Sequence, residues 1–263
     1  KKNINFNTYV ERDLTKTTVD WGTVASKLTN DLGAAGFLEH LGTDVGNSGR
    51  IPLSAAGRFG AYEYFPDTGR VNNTWSGYYT TVRDANVFLA SIERADLDDE
   101  VKGNAIAQLL FFRAYVYLKL VVTFGDVPYW RNDLTNIEEV SLLGKTDSKE
   151  ILNDMVADLE QAISSGYMST DRWNEYEGRP TVWAARMLKA HCHVWLAKDD
   201  AQHWANAKVE LLEITANSPH ELNDDYADMY RAGNEFHQEI IFGSLRKADV
   251  KGANIVSSRY RRQ

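Results

Sequence analysis

The chain has 263 residues, 43% hydrophobic and 25% charged, enough for one large domain or two small ones around a sizeable core. Its net charge of −8, with no Lys/Arg block apart from Arg259, Arg261 and Arg262, argues against a nucleic-acid partner. No uncharged apolar run approaches the roughly 20 residues that cross a bilayer, and one cysteine, Cys192, excludes an internal disulfide. The start, Lys1-Lys2-Asn3-Ile4-Asn5-Phe6, lacks the apolar core and cleavage site of a signal peptide, so the chain reads as cytosolic or as an already processed form.

In chain order, Trp21 to Leu41 carries a helical pattern broken by Gly33 and Gly36, and Gly42 to Gly60 reads as loop. Tyr62-Glu63-Tyr64-Phe65-Pro66-Asp67-Thr68-Gly69 is an aromatic strip closed by a turn signal. Apolar spacing predicts a helix from Trp75 to Ala95 through Tyr78, Tyr79, Val82, Ala85, Leu89 and Ile92. Asp96, Asp98, Asp99 and Glu100 then offer acceptors and negative charge to the next helix N-terminus. That helix runs from about Val101 to Phe124, with Ile106, Leu109, Leu110, Tyr117, Leu120, Val121 and Phe124 on an apolar face. Gly125 and Pro128 stop it. Arg113 sits inside the apolar run and requires a dedicated partner. Asp147-x-x-Glu150 fits a capping box ahead of Ile151, Met155, Leu159 and Ile163. Pro180 or Thr181 starts a helix through Leu188, Cys192 and Leu196. Trp204 to Ala216 and a short piece from Asp224 to Tyr230 follow, and Gln238 to Leu245 reads as a strand or extended segment.

Successive amphipathic helices with modest connections predict a mostly α fold: stacked helical hairpins of tetratricopeptide-repeat type, with long irregular loops and little β. Insertions at Trp130–Gly144 and Gly166–Arg179 interrupt the period. The reading is a single helical-repeat domain over 1–263, with an irregular region at 1–74, hairpins over 75–237 and a strand and tail over 238–263.

Several blocks, in order, carry a resemblance. Trp75-x-x-Tyr78-x-x-x-Val82-x-x-Ala85-Asn86, with Tyr78 or Tyr79 in the tyrosine slot, is the first. Gln108-x-x-x-x-Arg113-Ala114 and Val122-Thr123-Phe124-Gly125-Asp126-Val127-Pro128 follow. Ile151-x-x-x-Met155-x-x-Asp158-Leu159-x-x-Ala162, Gly178-Arg179-Pro180-Thr181-x-x-Ala184-Ala185, Trp204-Ala205-x-Ala207, Leu222-x-x-x-Tyr226-x-x-x-Tyr230 and Glu239-Ile240-Ile241-Phe242 complete the set. Together they resemble the SusD/RagB family of nutrient-binding lipoproteins of the Bacteroidetes outer membrane. Gln108 stands where that family has Glu, so an expected ion pair with Arg113 becomes a neutral hydrogen bond. The family's lipid-bearing N-terminal Cys is absent, and family members continue further, so the chain is expected to be incomplete at its C-terminal end.

The resemblance implies a surface-exposed protein of the cell outer membrane, anchored by an N-terminal lipid not present in this sequence. It would bind glycan, or peptide in some branches, and deliver it to a SusC-like TonB-dependent transporter barrel. It implies no covalent chemistry and no cofactor.

Seven Trp and thirteen Tyr are many for the helical pattern. Glycan binding uses flat rings against the apolar faces of sugars, with amides and guanidiniums for the hydroxyls. Two segments offer that combination: Tyr62, Tyr64, Phe65, Arg70, Asn72, Asn73 and Trp75, and then Trp173, Asn174, Tyr176 and Arg179. The competing reading packs these aromatics onto the helices, leaving a repeat scaffold that binds a protein partner. His191 and His193 lie two helix positions apart and diverge, so His191-Cys192-His193 is not a metal site. The acids at 96–100 lack the glycine of a calcium loop. Nucleophile, zinc-protease and phosphate-loop motifs are missing, so the chain reads as a non-enzyme with no catalytic residues.

Overall fold

The computed structural model describes residue 65 and residues 69–134, 137–172, 179–231 and 237–243. The chain divides into two units. One comprises Lys1–Trp21 and Thr81–Gly243, the other Gly22–Thr80 and Ser244–Gln263. In the second unit the described residues are Phe65 and residues 69–80.

Helix α1 is Gly69–Arg94. It starts six residues before Trp75, and the reason lies in the apolar spacing. Val71, Thr74 and Tyr78 extend backward the row that continues through Val82, Ala85, Leu89 and Ile92, and Thr74 and Tyr78 are fully buried. Asn72 and Asn73 are poor helix formers, but they sit on the exposed side, where one stripe of burial outweighs their propensity.

Helix α2 is Asp99–Phe124. It is buried nearly all round, not along one face, with Ala107 through Ala114 and Val116 through Leu118 all inside. Its length and composition would suit a membrane span, but 78% of that window is buried within the protein, which marks the central helix of a core. Gly125 terminates it at φ 74°, donating its N–H to the Val121 carbonyl at 2.9 Å. Asp98 occupies the position before the helix without a side-chain cap, so the acids there act through charge at Asp99 and Glu100.

The chain then makes β1, Val127–Pro128, and a five-residue helix α3, Ile137–Ser141. It returns as β2, Lys145–Thr146, antiparallel to β1 with Val127 opposite Thr146. The ribbon closes the insertion after Trp130 at its base. Helix α4, Ser148–Ser164, is capped twice: Asp147 accepts from the Lys149 N–H at 2.7 Å, and Asp126 accepts from the Ser148 N–H at 3.0 Å. The second contact explains the aspartate after Gly125, because it ties the end of α2 to the start of α4.

Helix α5, Val182–Leu196, is capped by Thr181, and α6, Gln202–Asn217, follows after a short turn. Helix α2 packs on α4, α4 on α5 and α5 on α6, the neighbour-on-neighbour stacking of helical hairpins. Asp225 caps a 3₁₀ turn at Tyr226–Tyr230. The strand expected from Gln238 is not formed over the described residues 237–243, which take turns. The sequence there lacks strict alternation, and Phe242 instead stacks edge-on against Phe111 of α2 at 5.0 Å. Among the described residues, the β structure is the β1–β2 ribbon.

Candidate functional site

Asn72, Trp75, Ser76 and Tyr79 follow the i, i+3, i+4, i+7 spacing, so α1 carries them on one face. The Trp75 and Tyr79 rings meet edge-on, with centroids 4.8 Å apart and planes at 61°. Both are half-buried, whereas Asn72, Asn73 and Ser76 are exposed. The Ser76 hydroxyl lies 3.5 Å from the Asn72 side-chain oxygen, and Thr80 donates to the Ser76 carbonyl at 2.8 Å. Two inclined rings beside an amide and a hydroxyl suit a ligand with flat apolar faces and a hydroxylated edge.

Of the residues singled out from sequence, Asn72 and Asn73, expected in the irregular region at 1–74, therefore share the helix of Trp75. Phe65 is 68% exposed. Arg70 is described in its backbone, as the second residue of α1. Tyr62, Tyr64, Trp173, Asn174 and Tyr176 lie outside the described residues, and Arg179 is half-buried ahead of α5. Sequence reasoning missed Tyr79 as the companion ring and Ser76 as its polar neighbour. The signal was present in the four-residue spacing from Trp75. It also divides the two tyrosines: Tyr78 is fully buried in the scaffold slot, and Tyr79 is half-buried.

In the other unit, Arg113 has its dedicated partner. Its Nε and Nη2 reach Asp158 Oδ2 at 2.8 and 2.7 Å, and Nη1 donates to Asn86 Oδ1 at 3.0 Å. Arg131 binds the other oxygen of Asp158 and also pairs with Asp154 at 3.5 Å. Burial raises the Asp158 carboxyl above the usual aspartate value, while the two guanidiniums pull the other way. Asn86 donates to the Trp130 carbonyl at 3.1 Å. The Tyr117 hydroxyl donates to the same carbonyl at 3.0 Å and accepts from the Trp130 N–H at 3.1 Å. Tyr129 donates to Asp154 at 2.7 Å. Burial lifts both phenols far above the tyrosine range, so they stay neutral. The network binds the backbone leaving β1 to three helices.

Gln108 does not join it, contrary to the sequence reading. Five positions along a helix are about 140° around it, so Gln108 faces away from Arg113. It donates to Asn104, which in turn donates to the Tyr167 carbonyl at 2.7 Å. The true partner, Asp158, lies on α4.

His191 is exposed and His193 buried, pointing apart as expected. Cys192 is buried, with its thiol pushed up to about 12. Among the described residues, no three His, Cys, Asp or Glu side chains are placed to hold a metal.

Residues 54–192, more than half of the chain, match the sequence profile of a SusD-like family described as starch-binding and associating with the outer membrane. The chain belongs to the SusD-like family. It is 32% identical over 186 residues to the SusD-like protein P25 of Formosa agariphila, an alignment spanning 69% of this chain and 33% of that one. Its fold is similar to that of a laminarin-binding SusD-like protein, with a TM-score of 0.74 and 20% identity, over 86% of this chain and 51% of that one. It is similar also to surface glycan-binding protein A of Bacteroides fluxus, with a TM-score of 0.68 and 23% identity, over 89% and 52% of the two chains. The SusD-like chain thus spans about a third of that curated relative and about half of each of these solved chains.

Proposed function

We propose that this SusD-like chain binds glycan at the surface of the bacterial outer membrane, without cleaving it, and passes it to a SusC-like TonB-dependent transporter. The observation that carries the reading is the α1 face, where Trp75 and Tyr79 stand 4.8 Å apart beside Asn72 and Ser76. That face offers stacking for sugar rings and hydrogen bonding for their hydroxyls. Membership of the SusD-like family supports it, as does fold similarity to a laminarin-binding protein. Attachment to the membrane through an N-terminal lipid belongs to the same reading. Tyr62, Tyr64, Phe65, Arg70 and Asn73 are the residues we expect to extend the contact, and Trp173 and Tyr176 are separate candidates for glycan contact.

Affinity electrophoresis through gels containing a panel of polysaccharides, led by laminarin, tests the proposal. Retardation by at least one glycan, with no new reducing ends after prolonged incubation, is the expected result. Retardation by none, with calorimetric binding of oligopeptides instead, moves the chain to a peptide-importing role. Release of reducing ends would make it a hydrolase.

A further inference from the structure

Helices α5 and α6 meet through an unusual pair. His193, in the last turn of α5, and His203, in the first turn of α6, place their Nδ1 atoms 2.9 Å apart, with ring centroids separated by 5.1 Å. His193 is 5% exposed. At that distance one nitrogen donates and the other accepts, so the contact holds at most one proton between the two atoms. If both rings were imidazolium, two N–H groups would point at each other across a part-buried gap.

The surrounding charges do not relieve that conflict. Glu210 of α6 is the nearby carboxylate, but it is engaged by Arg186 at 2.7 Å and Lys189 at 2.7 Å, both on α5. Lys189 is also bound by Glu160 of α4, the helix on the far side of α5. Beyond the end of α5, Asp199 pairs with Lys149 of α4 at 3.3 Å, and Asp200 accepts from the Gln202 N–H at the start of α6. A second proton on the pair meets the Lys189 cation close by, while Glu210 is already paired with Lys189 and Arg186.

The geometry points to a proton-operated latch: the His193–His203 contact fastens the linked ends of α5 and α6 near neutral pH, and acidification into the imidazole range loosens that end of the hairpin. Burial of His193, then the nearby His203 and Lys189, disfavour its imidazolium form, with Glu210 opposing. The direction follows. A histidine whose folded-state affinity for protons is lowered supplies its full stabilisation above the unfolded value, about 6.5, and loses it as the pH falls below that value toward the folded one.

Histidine-ring NMR and amide hydrogen exchange on the whole chain test the latch. At pH 7.5 the rings should show opposite Nδ1 states, one protonated and one bare. Between pH 7.5 and 5.0, protection of the α6 amides, corrected for intrinsic exchange, should fall roughly tenfold per unit of lowered proton affinity. His203→Gln should flatten that fall, whereas His191→Gln, on the exposed side of α5, should not. The inference is overturned if both rings are doubly protonated at pH 5.0 with α6 protection unchanged. It also fails if His203→Gln keeps the full wild-type pH dependence. The ring spectra of the unaltered protein decide the matter even where a variant fails to fold.

Discussion

Arg113 and Asp158 are 4% and 1% exposed, so each is tolerated only because the other is there. Asp158→Asn leaves two guanidiniums facing a neutral amide, one of them buried. It should cost about 3–5 kcal/mol in urea unfolding. A loss below about 1 kcal/mol would mean that the pair is a surface contact. Arg113→Lys should be nearly as damaging, because an ammonium cannot fork between Asp158 and Asn86. At this scale the sequence announced the need for a partner but not its identity. A charge among apolar neighbours is visible in one dimension. The carboxylate that answers it lies 45 positions away and is fixed by α2–α4 packing. Gln108, the partner expected from the family's Glu in that slot, sits about 140° around the helix from Arg113 and bonds Asn104 instead.

At the scale of elements, helix periodicity and breakers carried most of the architecture. Gly125 is the plainest case. Its φ of 74° lies in the left-handed region, and nothing lies within 4 Å of where a Cβ would be. Gly125→Ala should therefore cost about 1–3 kcal/mol from backbone strain alone, read as a lower urea midpoint, and Gly125→Asn no less, because ψ of −132° lies outside the left-handed helical well that asparagine tolerates. No loss for alanine would mean that the turn relaxes to another conformation. The α4–α5–α6 ion network supplies a pH prediction. Burial alone would raise the Glu210 carboxyl, but hydrogen bonds from Lys189 and Arg186 prevail and hold it below the usual glutamate value. Its stabilisation is complete above the unfolded value, about 4.3, and is lost as the pH falls through the folded one. Glu210→Gln should thus be weaker than wild type by about 1.5–3 kcal/mol at pH 7, with the gap closing below about pH 4. A gap that persists in acid would assign the loss to packing. This window lies below that of the histidine latch, so the two can be separated in one titration. Periodicity failed at the edges. The start of α1 lies in the region expected to be irregular, because two asparagines mask the row of Val71, Thr74 and Tyr78. The expected strand after Gln238 is a turn because Phe242 has a better use against Phe111.

For the whole molecule, the stacked-hairpin fold was legible because each hairpin repeats a local pattern, and ordered motif blocks pointed to the SusD-like family. The proposed binding face was only half legible. Composition signalled surplus rings, but how much of each is buried depends on how its helix packs, and Tyr79 is half-buried where Tyr78 is fully buried. The central claim is that Trp75 and Tyr79 form a sugar platform. Its most direct test is calorimetry of the chain with the glycan that binds it, beside Trp75→Ala, Tyr79→Ala and Trp75→Phe, each with its melting temperature. The account predicts affinity about tenfold weaker in each alanine variant, equivalent to ~1.4 kcal/mol, largely restored by phenylalanine, with melting little changed. Undiminished affinity in the folded fraction of both alanine variants would contradict it.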